Sequence, residues 1–581
     1  MTDVPMAAVE HEAHSSSRKR PRSPSSAADL TLFCCLVGSN TPFPVDISGS
    51  RTVGHLKEII KKKKPQDLKG MDADKLELFK VSLPSGRDLE KRVKDAIDNI
   101  EPLDPTTKLA KIFFDEPPEE TVHIAVKLPD DADNFPTGAP SDLAKPSALD
   151  KFQAPDHTFK FGYNRPPSAA SALPVTLLHP IFNEFIDDCE HYKPSNEDHS
   201  FALNLAHLMC GFFKNEKERQ AAFIQICQEN GLSFTPSKIV GTDFTTDGDM
   251  HCNGFMYCLG DIKNETGSNA AEPIFQSACY YTAHLKNRQA SNIHSTFPCL
   301  GLYVIGPILG FIGLAFDVKT QIQVLTQPIR FDYHHTDVKQ RRTAARYLGA
   351  FRRTARKLKI YYETEIPKLK NLPVPSSAHQ SFPCYSRYTA LSDSAEHEIQ
   401  YIAQPMGNKL VFHGKSGGAE VCVKFVTRYS KEAHLHCVKL GIAPVLRGFE
   451  SLPGGWFMVV MDWIGNDYVS FDIRATTDLH HMHRVFMDKL GDFHRAGYVH
   501  GDIRNVNVMV RRDGELMRNN GEVGFMLLDF DWSGRTGEVS YPMNVNKGNG
   551  LWRPEDVKDE VWIQADHDLQ MLNHMFEMLT D

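Results

Sequence analysis

The feature that most restricts this chain is a series of polar residues in its last third, each set at the end of an apolar segment. Glu420 to Val426 (EVCVKFV) alternates with period two, which predicts a half-buried strand carrying Lys424. Glu432 follows on a segment with helical character, and Phe457 to Met461 is a second apolar strand that leads into Asp462-Trp463-Ile464. Between about Asp478 and Arg495, residues Leu479, Met482, Val485, Phe486, Leu490 and Phe493 recur at helical spacing, and Gly497 ends the run. His500-Gly501-Asp502-Ile503-Arg504-Asn505-Val506-Asn507-Val508 comes next, and Met526 to Leu528 form a short strand that delivers Asp529-Phe530-Asp531. A lone His-x-Asp triplet is usually a capped loop. Here a lysine, a glutamate, an aspartate, an asparagine and a second aspartate arrive in a fixed order, which chance rarely produces.

This order resembles that of protein-kinase-like phosphotransferases, whose catalytic loop reads H-x-D-x-x-x-x-N. The resemblance implies that Asp502 orients the acceptor hydroxyl and accepts its proton, and that Asn507 and Asp529 hold Mg2+ against the phosphates. It also implies that Lys424 binds the α/β-phosphates of ATP with Glu432 as its ion-pair partner. Asp462 falls at the nucleotide-binding hinge, and Arg504 where a basic residue faces the transferring phosphate. ATP and Mg2+ are the implied cofactors, and a Ser/Thr hydroxyl of a protein substrate is the implied acceptor. The chain also departs from the pattern. It has no G-x-G-x-x-G loop, and Gly414, Gly417 and Gly418 are only a loose substitute. His500-Gly501-Asp502 replaces the usual HRD and resembles aminoglycoside- and choline-kinase-type loops, and Asp531 stands where a glycine is usual. Trp552-Arg553-Pro554-Glu555 resembles the A-P-E element, and Asp568 fits the buried aspartate of the helix after it. The last helices of that lobe are missing before Asp581, so a truncated lobe is expected.

The middle of the chain carries a second constellation. Helical patterns through Ile181, Phe182, Phe185 and Ile186 and from Phe201 to Glu229 precede an acidic turn around Asp247 and Asp249. The strand Phe255 to Leu259 then runs into Asp261-Ile262-Lys263-Asn264-Glu265, and alternation sets Asp261 and Lys263 on one face. An acidic residue followed by a strand ending in acid-x-Lys resembles the PD-(D/E)XK nucleases, in which two carboxylates hold a divalent cation and a lysine activates water. The resemblance makes Asp247 and Asp261 metal ligands, Lys263 catalytic and DNA the substrate; Gln276 and Tyr280 follow one helical turn apart. On spacing alone, a hairpin with solvated charges is the better account, and the order of the surrounding elements is what favours the nuclease fold. Val338 to Tyr361 is an amphipathic helix whose polar face carries Arg342, Arg346, Arg352, Arg353, Arg356 and Lys357, suited either to solvent or to phosphates. Phe297 to Phe316 lacks charge but is broken by Gly301, Gly306-Pro307, Gly310 and Gly313, which predicts two buried strands and no membrane span.

At the other end, Leu30 to Val37 and Phe43 to Ile47 suggest a hairpin, Thr52 to Lys64 a helix, and Leu76 to Val81 and His123 to Val126 further strands, an order expected of a ubiquitin-like roll. Leu30 to Cys34 and Ala73 to Val81 resemble the N-terminal domain of Crinkler effectors, and the middle stretch resembles a restriction-endonuclease-like module of fungal members of that group. That resemblance implies secretion into a host cell and action in its nucleus, although no conventional signal peptide is visible; an intracellular nuclear or cytoplasmic protein is the alternative. Arg18-Lys19-Arg20-Pro21-Arg22 would suit nuclear import or a solvated tail. With 65 Lys+Arg against 73 Asp+Glu and a net charge of -8, the surface is not broadly basic, and the 12 scattered cysteines fit a reduced environment.

The expected architecture is multidomain α+β. It comprises a basic tail (1–29), a small ubiquitin-like β-grasp domain (30–128), a linker (129–174), an α/β restriction-endonuclease-like module (175–362), a second linker (363–395) and a two-lobed kinase-like domain (396–581) with an incomplete second lobe. Three functions compete: a protein kinase, a metal-dependent nuclease and a pseudokinase scaffold. Intact Lys424, Asp502, Asn507 and Asp529 favour the first. Substrate and oligomeric state are not legible.

Overall fold

The computed structural model describes residues 29–127 and 138–578, apart from 38, 40, 65–67, 69–72, 85, 87–88, 98–99, 115–116, 119, 155–156, 158, 171–172, 288–292, 371–381, 408, 472–478, 513–522 and 549–550. The basic tail with Arg18 to Arg22 lies outside the described residues. Two compact units result, divided after Asn134. In the first, the alternating apolar runs become β1 (Asp29–Leu36) and β2 (Phe43–Ser48), followed by α1 (Val53–Lys63), β3 (Glu77–Pro84), α2 (Leu89–Ile97), the one-turn α3 (Leu109–Ile112) and β4 (Thr121–Lys127). The sheet order is β2-β1-β4-β3, with β1 and β4 parallel at its centre. Leu56 and Ile60 of α1 cover one face, over Leu32, Cys34, Val45 and Ile124. Leu89, Val93 and Ile97 of α2 cover the other, over Cys35, Phe79 and Ala125. Lys61, Lys62 and Lys63 occupy the last turn of α1, where cations suit the helix dipole.

The second unit opens in a segment expected to be a linker. The described residues between 138 and 174 instead fold onto the middle module, a correction to that expectation. α4 (Pro140–Leu143) and α5 (Pro146–Phe152) each start on a proline, and Leu143, Leu149, Phe152, Phe159, Phe161 and Leu173 enter the core. The helices α6 (Val175–Leu178), α7 (Pro180–His191), α8 (Asn196–Met209) and α9 (Glu216–Glu229) follow. Next come β5 (Gly248–Cys252), β6 (Phe255–Lys263), α10 (Pro273–Asn287), β7 (Cys299–Ile305), β8 (Ile308–Phe316), β9 (Thr320–Val324) and β10 (Ile329–Arg330), and α11 (Val338–Leu369) completes the module. The main path through the sheet is β10-β8-β7-β6-β5, with β9 beside β8; β6 and β7 run parallel across α10, and β7 and β8 form the hairpin turning at Gly306-Pro307. Among the described residues, no helix is long and apolar enough to cross a membrane.

The second expected linker is also shorter than composition suggested. α11 continues to Leu369, and the N–H of Cys384 donates to the Leu177 carbonyl at 2.7 Å. β11 (Arg387–Thr389) pairs with β12 (Glu396–Glu398), so the third module starts before residue 396. β13 (Gln400–Ala403), β14 (Val411–Ser416), β15 (Ala419–Val426), α12 (Lys431–Lys439), β16 (Leu446–Leu452) and β17 (Trp456–Asp462) build a sheet of order β13-β14-β15-β17-β16. Alternation sends Phe412, Val421, Val423, Phe425, Met458 and Val460 to one face, where they join the core of the middle module. Val459, Met461 and Cys422 face the other way, toward α12. The two modules are therefore one packed body. β18 (Tyr468–Ser470), α13 (Leu479–Arg495), β19 (Tyr498–Val499), β20 (Val508–Arg511), β21 (Phe525–Leu527), β22 (Gly534–Arg535) and α14 (Ala565–Glu577) form the remaining lobe around Met482, Phe486, Leu490, Phe525 and Leu572.

Candidate active site

The segment after β19 is held from below by a buried carboxylate. Asp568 of α14 accepts from the backbone N–H groups of His500 and Gly501 at 2.7 Å each, and from His494 Nε2 at 3.0 Å. Gly501 has φ +82°, and a Cβ there would lie 2.8 Å from Ile563 Cδ1. Both facts favour glycine at this position. His500 Nδ1 accepts from the Asp502 N–H, so its Nε2 donates to the Leu528 carbonyl at 3.1 Å; burial holds the imidazole below its usual pKa, in the neutral form this pairing needs. The loop is thereby fixed to the residue just before Asp529.

Asp502 is the centre of the donors. Asn507 Nδ2 donates to its Oδ2 at 2.7 Å and to its backbone carbonyl at 2.9 Å, and Arg504 Nε donates to Oδ2 at 3.0 Å. Arg553 Nη2 donates to Oδ1 at 2.5 Å, with its guanidinium 4.8 Å from the centre of the Trp532 ring. Arg553 was not expected in the site; its only sequence signal was the resemblance of its segment to the A-P-E element. Committing the amide nitrogen of Asn507 to Asp502 leaves its carbonyl oxygen as the available ligand atom. Asp529 has φ +70°, a conformation seldom adopted by non-glycine residues and often found at functional positions. Lys424 Nζ lies 2.6 Å from an oxygen of Asp529 and 2.6 Å from one of Asp531. Burial works against charge at all three groups. The ammonium still holds Asp529 below the usual carboxylate range, while burial and the neighbouring Asp529 push Asp531 above it.

Two expectations are corrected here, those for Glu432 and for the glycines. Glu432 does not meet Lys424: it is exposed in the first turn of α12, whose buried residues are Ala433, His434 and Cys437. Gly414 lies inside β14, and Gly417 and Gly418 form the β14–β15 hairpin turn with φ +56° and +84°, so they do not cover phosphates. The connection between the sheet's first two strands is 404–410, with Gly407 as its one glycine. Asp462 ends β17, where its N–H donates to the Val445 carbonyl and its carboxylate is engaged by Arg447.

In the middle module, Lys263 Nζ lies 2.7 Å from Asp261, 3.9 Å from Asp247 and 3.9 Å from Glu216. Asp247 also accepts from the Ile262 N–H at 2.8 Å, which ties the acidic turn to the strand. Asp261 is fully buried, and neither of its oxygens has an aligned hydrogen-bond donor. Burial raises the Asp247 and Glu216 carboxyls and pushes Asp261 up to about 8 despite the lysine. Among the described residues, no three His, Cys, Asp or Glu side chains close on one point, so the acids converge on the ammonium. Glu216 was missed because it arrives from the start of α9, at no spacing that ties it to the strand. Gln276 Nε2 donates to Tyr280 at 3.4 Å. Asp249 points elsewhere, accepting from Ser237 at 2.5 Å and pairing with His251. The basic face of α11 is largely engaged: Arg346 binds the Glu190 carbonyl, Arg352 binds Asp198 and Glu197, Arg353 binds Asp188 and Lys357 binds Glu184. Those four side chains brace α7 and α8, a correction to the phosphate-tracking reading.

Comparison with known proteins bears on the first unit. Residues 30–127 match the family model of the Crinkler effector protein N-terminal domain. Crinkler effector protein 1 of Rhizophagus irregularis is 38% identical over 103 residues, covering 17% of this chain and 22% of that protein. Crinkler effector protein 108 of Phytophthora sojae is 49% identical over 51 residues, 9% of this chain and 6% of that protein. Crinkler effector protein 8 of Phytophthora infestans is 29% identical over 133 residues, 20% and 22% of the two chains. The matched segments thus span less than a quarter of any of these relatives. Solved structures with a likeness include the Cydia pomonella granulovirus kinase PK-1 (TM-score 0.24, 15% identity, 32% of this chain and 67% of that one) and vaccinia related kinase 3 (0.25, 15%, 34% and 68%). The BubR1 kinase domain is a third (0.24, 15%, 33% and 64%). At residues 30–127 the chain is similar to the Crinkler effector N-terminal domain.

Proposed function

We propose that this protein is a Crinkler-type effector whose third module transfers the γ-phosphate of ATP to Ser/Thr hydroxyls of proteins in a target cell. The observation that carries the reading is the pairing of Asp502 with Asn507 and of Lys424 with Asp529, the two pairs tied together by the His500–Leu528 hydrogen bond. Asp502 is the group that orients the acceptor hydroxyl and takes its proton. Arg504, on the same carboxylate, faces the transferring phosphate, and Lys424 holds the α/β-phosphates. The Asn507 carbonyl and the Asp529 carboxylate are hard oxygen donors of the kind Mg2+ takes, and the ion when bound neutralises charge on the phosphates. The sheet order β2-β1-β4-β3 supports a ubiquitin-like first domain, and the family likeness of that domain supports secretion and delivery into a host cell.

The test is transfer of labelled γ-phosphate by the full-length protein with Mg2+, against Asp502→Ala. Transfer that disappears in the variant is the expected result. Equal signals from both proteins, or no transfer by the folded wild type across candidate substrates, would remove this reading. A second reading, a divalent-metal nuclease acting on DNA, is favoured by one observation: the buried Asp261 oxygens without aligned donors, beside Lys263. Carboxylate oxygens are the donor type that Mg2+ takes. DNA cleavage lost in Asp261→Ala with Lys263→Ala, and kept in Asp502→Ala, would favour it.

A further inference from the structure

In a kinase site the nucleotide-binding lysine takes its counter-ion from the helix beside the sheet, and that helix can swing to make or break the pair. Here both partners of Lys424 come from one short segment, Asp529 and Asp531, each at 2.6 Å. Glu432 is turned to solvent, and α12 is fastened by other means. The His434 ring stacks on Phe530 with centroids 4.6 Å apart and planes 9° from parallel. Its Nδ1 meets the Tyr429 hydroxyl and its Nε2 the Pro444 carbonyl, each at 2.8 Å. The Ser430 N–H donates to the Phe530 carbonyl at 3.1 Å. The helix is thus attached to the residue lying between the two aspartates.

We propose that Asp531 replaces the helix glutamate as the counter-ion that positions Lys424, so that the lysine is set by the Asp529–Asp531 segment and not by α12. The proposal rests on the phosphotransferase reading for its catalytic meaning. Two carboxylates on one ammonium allow Asp529 to turn to a metal ion while Asp531 keeps the lysine in place. A glycine at 531 would leave the lysine without a second partner, which accounts for the departure from the usual segment. Asp531 is a positioning residue, acting through Lys424. Among the described residues, no ion pair links α12 to the lysine directly; the helix reaches the pair only through Phe530.

The experiment uses the full chain and two readouts. The first is a double-mutant cycle on urea unfolding midpoints, pairing Lys424→Met with Asp531→Asn and, separately, with Glu432→Gln. The Lys424→Met/Asp531→Asn double variant should unfold near the midpoint of the worse single variant, while shifts of Lys424→Met and Glu432→Gln should add. The second readout is kcat and KM for ATP. Asp531→Asn should lose about tenfold in kcat/KM, carried mainly by KM, as expected for one charge-assisted hydrogen bond, with Asp531→Glu recovering part of the loss. Glu432→Gln should stay within about twofold. Coupling of Lys424 to Glu432, or an unchanged kcat/KM in Asp531→Asn, overturns the proposal. If the wild type transfers no phosphate, the phosphotransferase reading falls by itself, and the cycle alone decides the pairing: additivity of Lys424→Met and Asp531→Asn overturns it.

Discussion

Gly454→Ala is the sharpest probe of the joint between the middle module and the third module. Gly454 sits in the turn before β17 with φ +73°, and its N–H donates to Asp187 Oδ1 of α7 at 2.9 Å. An added Cβ would lie 2.3 Å from Asn183 Oδ1 and 2.9 Å from its Cγ. Asn183 is fully buried and donates to the Thr176 carbonyl at 2.8 Å and to the Tyr385 hydroxyl at 3.0 Å, so it cannot move without giving up those bonds. The left-handed backbone costs about 1–2 kcal/mol for a residue with a Cβ, and each lost hydrogen bond about 0.5–1.5 kcal/mol. Together the substitution should destabilise by about 2–5 kcal/mol. All five tryptophans lie between Trp456 and Trp562, so their emission reports the third module, while far-UV circular dichroism reports the whole chain. Urea unfolding followed both ways should show the tryptophan midpoint falling in Gly454→Ala. Adding Asn183→Ala removes the steric part and leaves the backbone part, so the double variant should lie above the sum of the singles. Strict additivity, or a tryptophan midpoint indifferent to Asn183→Ala, would refute the shared joint.

Three further outcomes follow from single side chains. Arg219 is fully buried and donates to the Met209, Gly211 and Gly306 carbonyls and to Glu265 at 2.6 Å. Arg219→Met should cost about 2–6 kcal/mol in urea unfolding, because it leaves the buried Met209 and Gly306 carbonyls without their donor. Burial holds His434 neutral down to about 4, against 6.5 for a free imidazole. Its lowered pKa makes the contribution complete above 6.5 and lost as pH falls toward 4, on the order of 3 kcal/mol; His434→Asn should flatten the unfolding midpoint over that window. Arg352→Ala should lower thermal stability while leaving DNA retention unchanged in a filter assay, since its guanidinium is engaged by Asp198 at 2.8 Å.

What the sequence made legible was whatever depends on local period. The alternation of EVCVKFV set Lys424 on a strand, and Asp261 and Lys263 indeed share one face of β6 and touch. Contacts that depend on a partner chosen by tertiary packing were not legible. Glycines mark both a phosphate loop and a tight hairpin, so Gly417 and Gly418 carried no information about which they served. A glutamate shortly after a strand lysine is a correct expectation only if the helix turns that position inward; α12 turns His434 inward instead. The segment 129–174 reads as a linker because it is dense in Pro, Asp, Ser and Ala, and its remaining apolar residues are few. They are large, however, and Phe152, Phe159 and Phe161 pack against one another with centroids 5.0–6.2 Å apart.

The shared core also decides how the proposed activity can be tested. The face of the β13–β17 sheet formed by Phe412, Val421, Val423, Phe425, Met458 and Val460 is covered by the middle module, not by solvent. A fragment cut at residue 396 would bare that face and lose β11, whose residues pair with β12 and reach Gly448 through Ala390. An aromatic side chain alone buries about 150–250 Å², so two phenylalanines and four aliphatic side chains form a patch well above the few hundred Å² that soluble monomers usually expose. A 396–581 fragment should therefore scatter light and fail to retain Mg-ATP, while the unit from 138 onward remains clear at the same concentration. Absence of phosphotransfer in the short fragment would then reflect the missing partner face and not the chemistry of Asp502. A soluble 396–581 fragment that binds Mg-ATP as well as the full chain would refute this dependence and restore the view of the two modules as separate bodies.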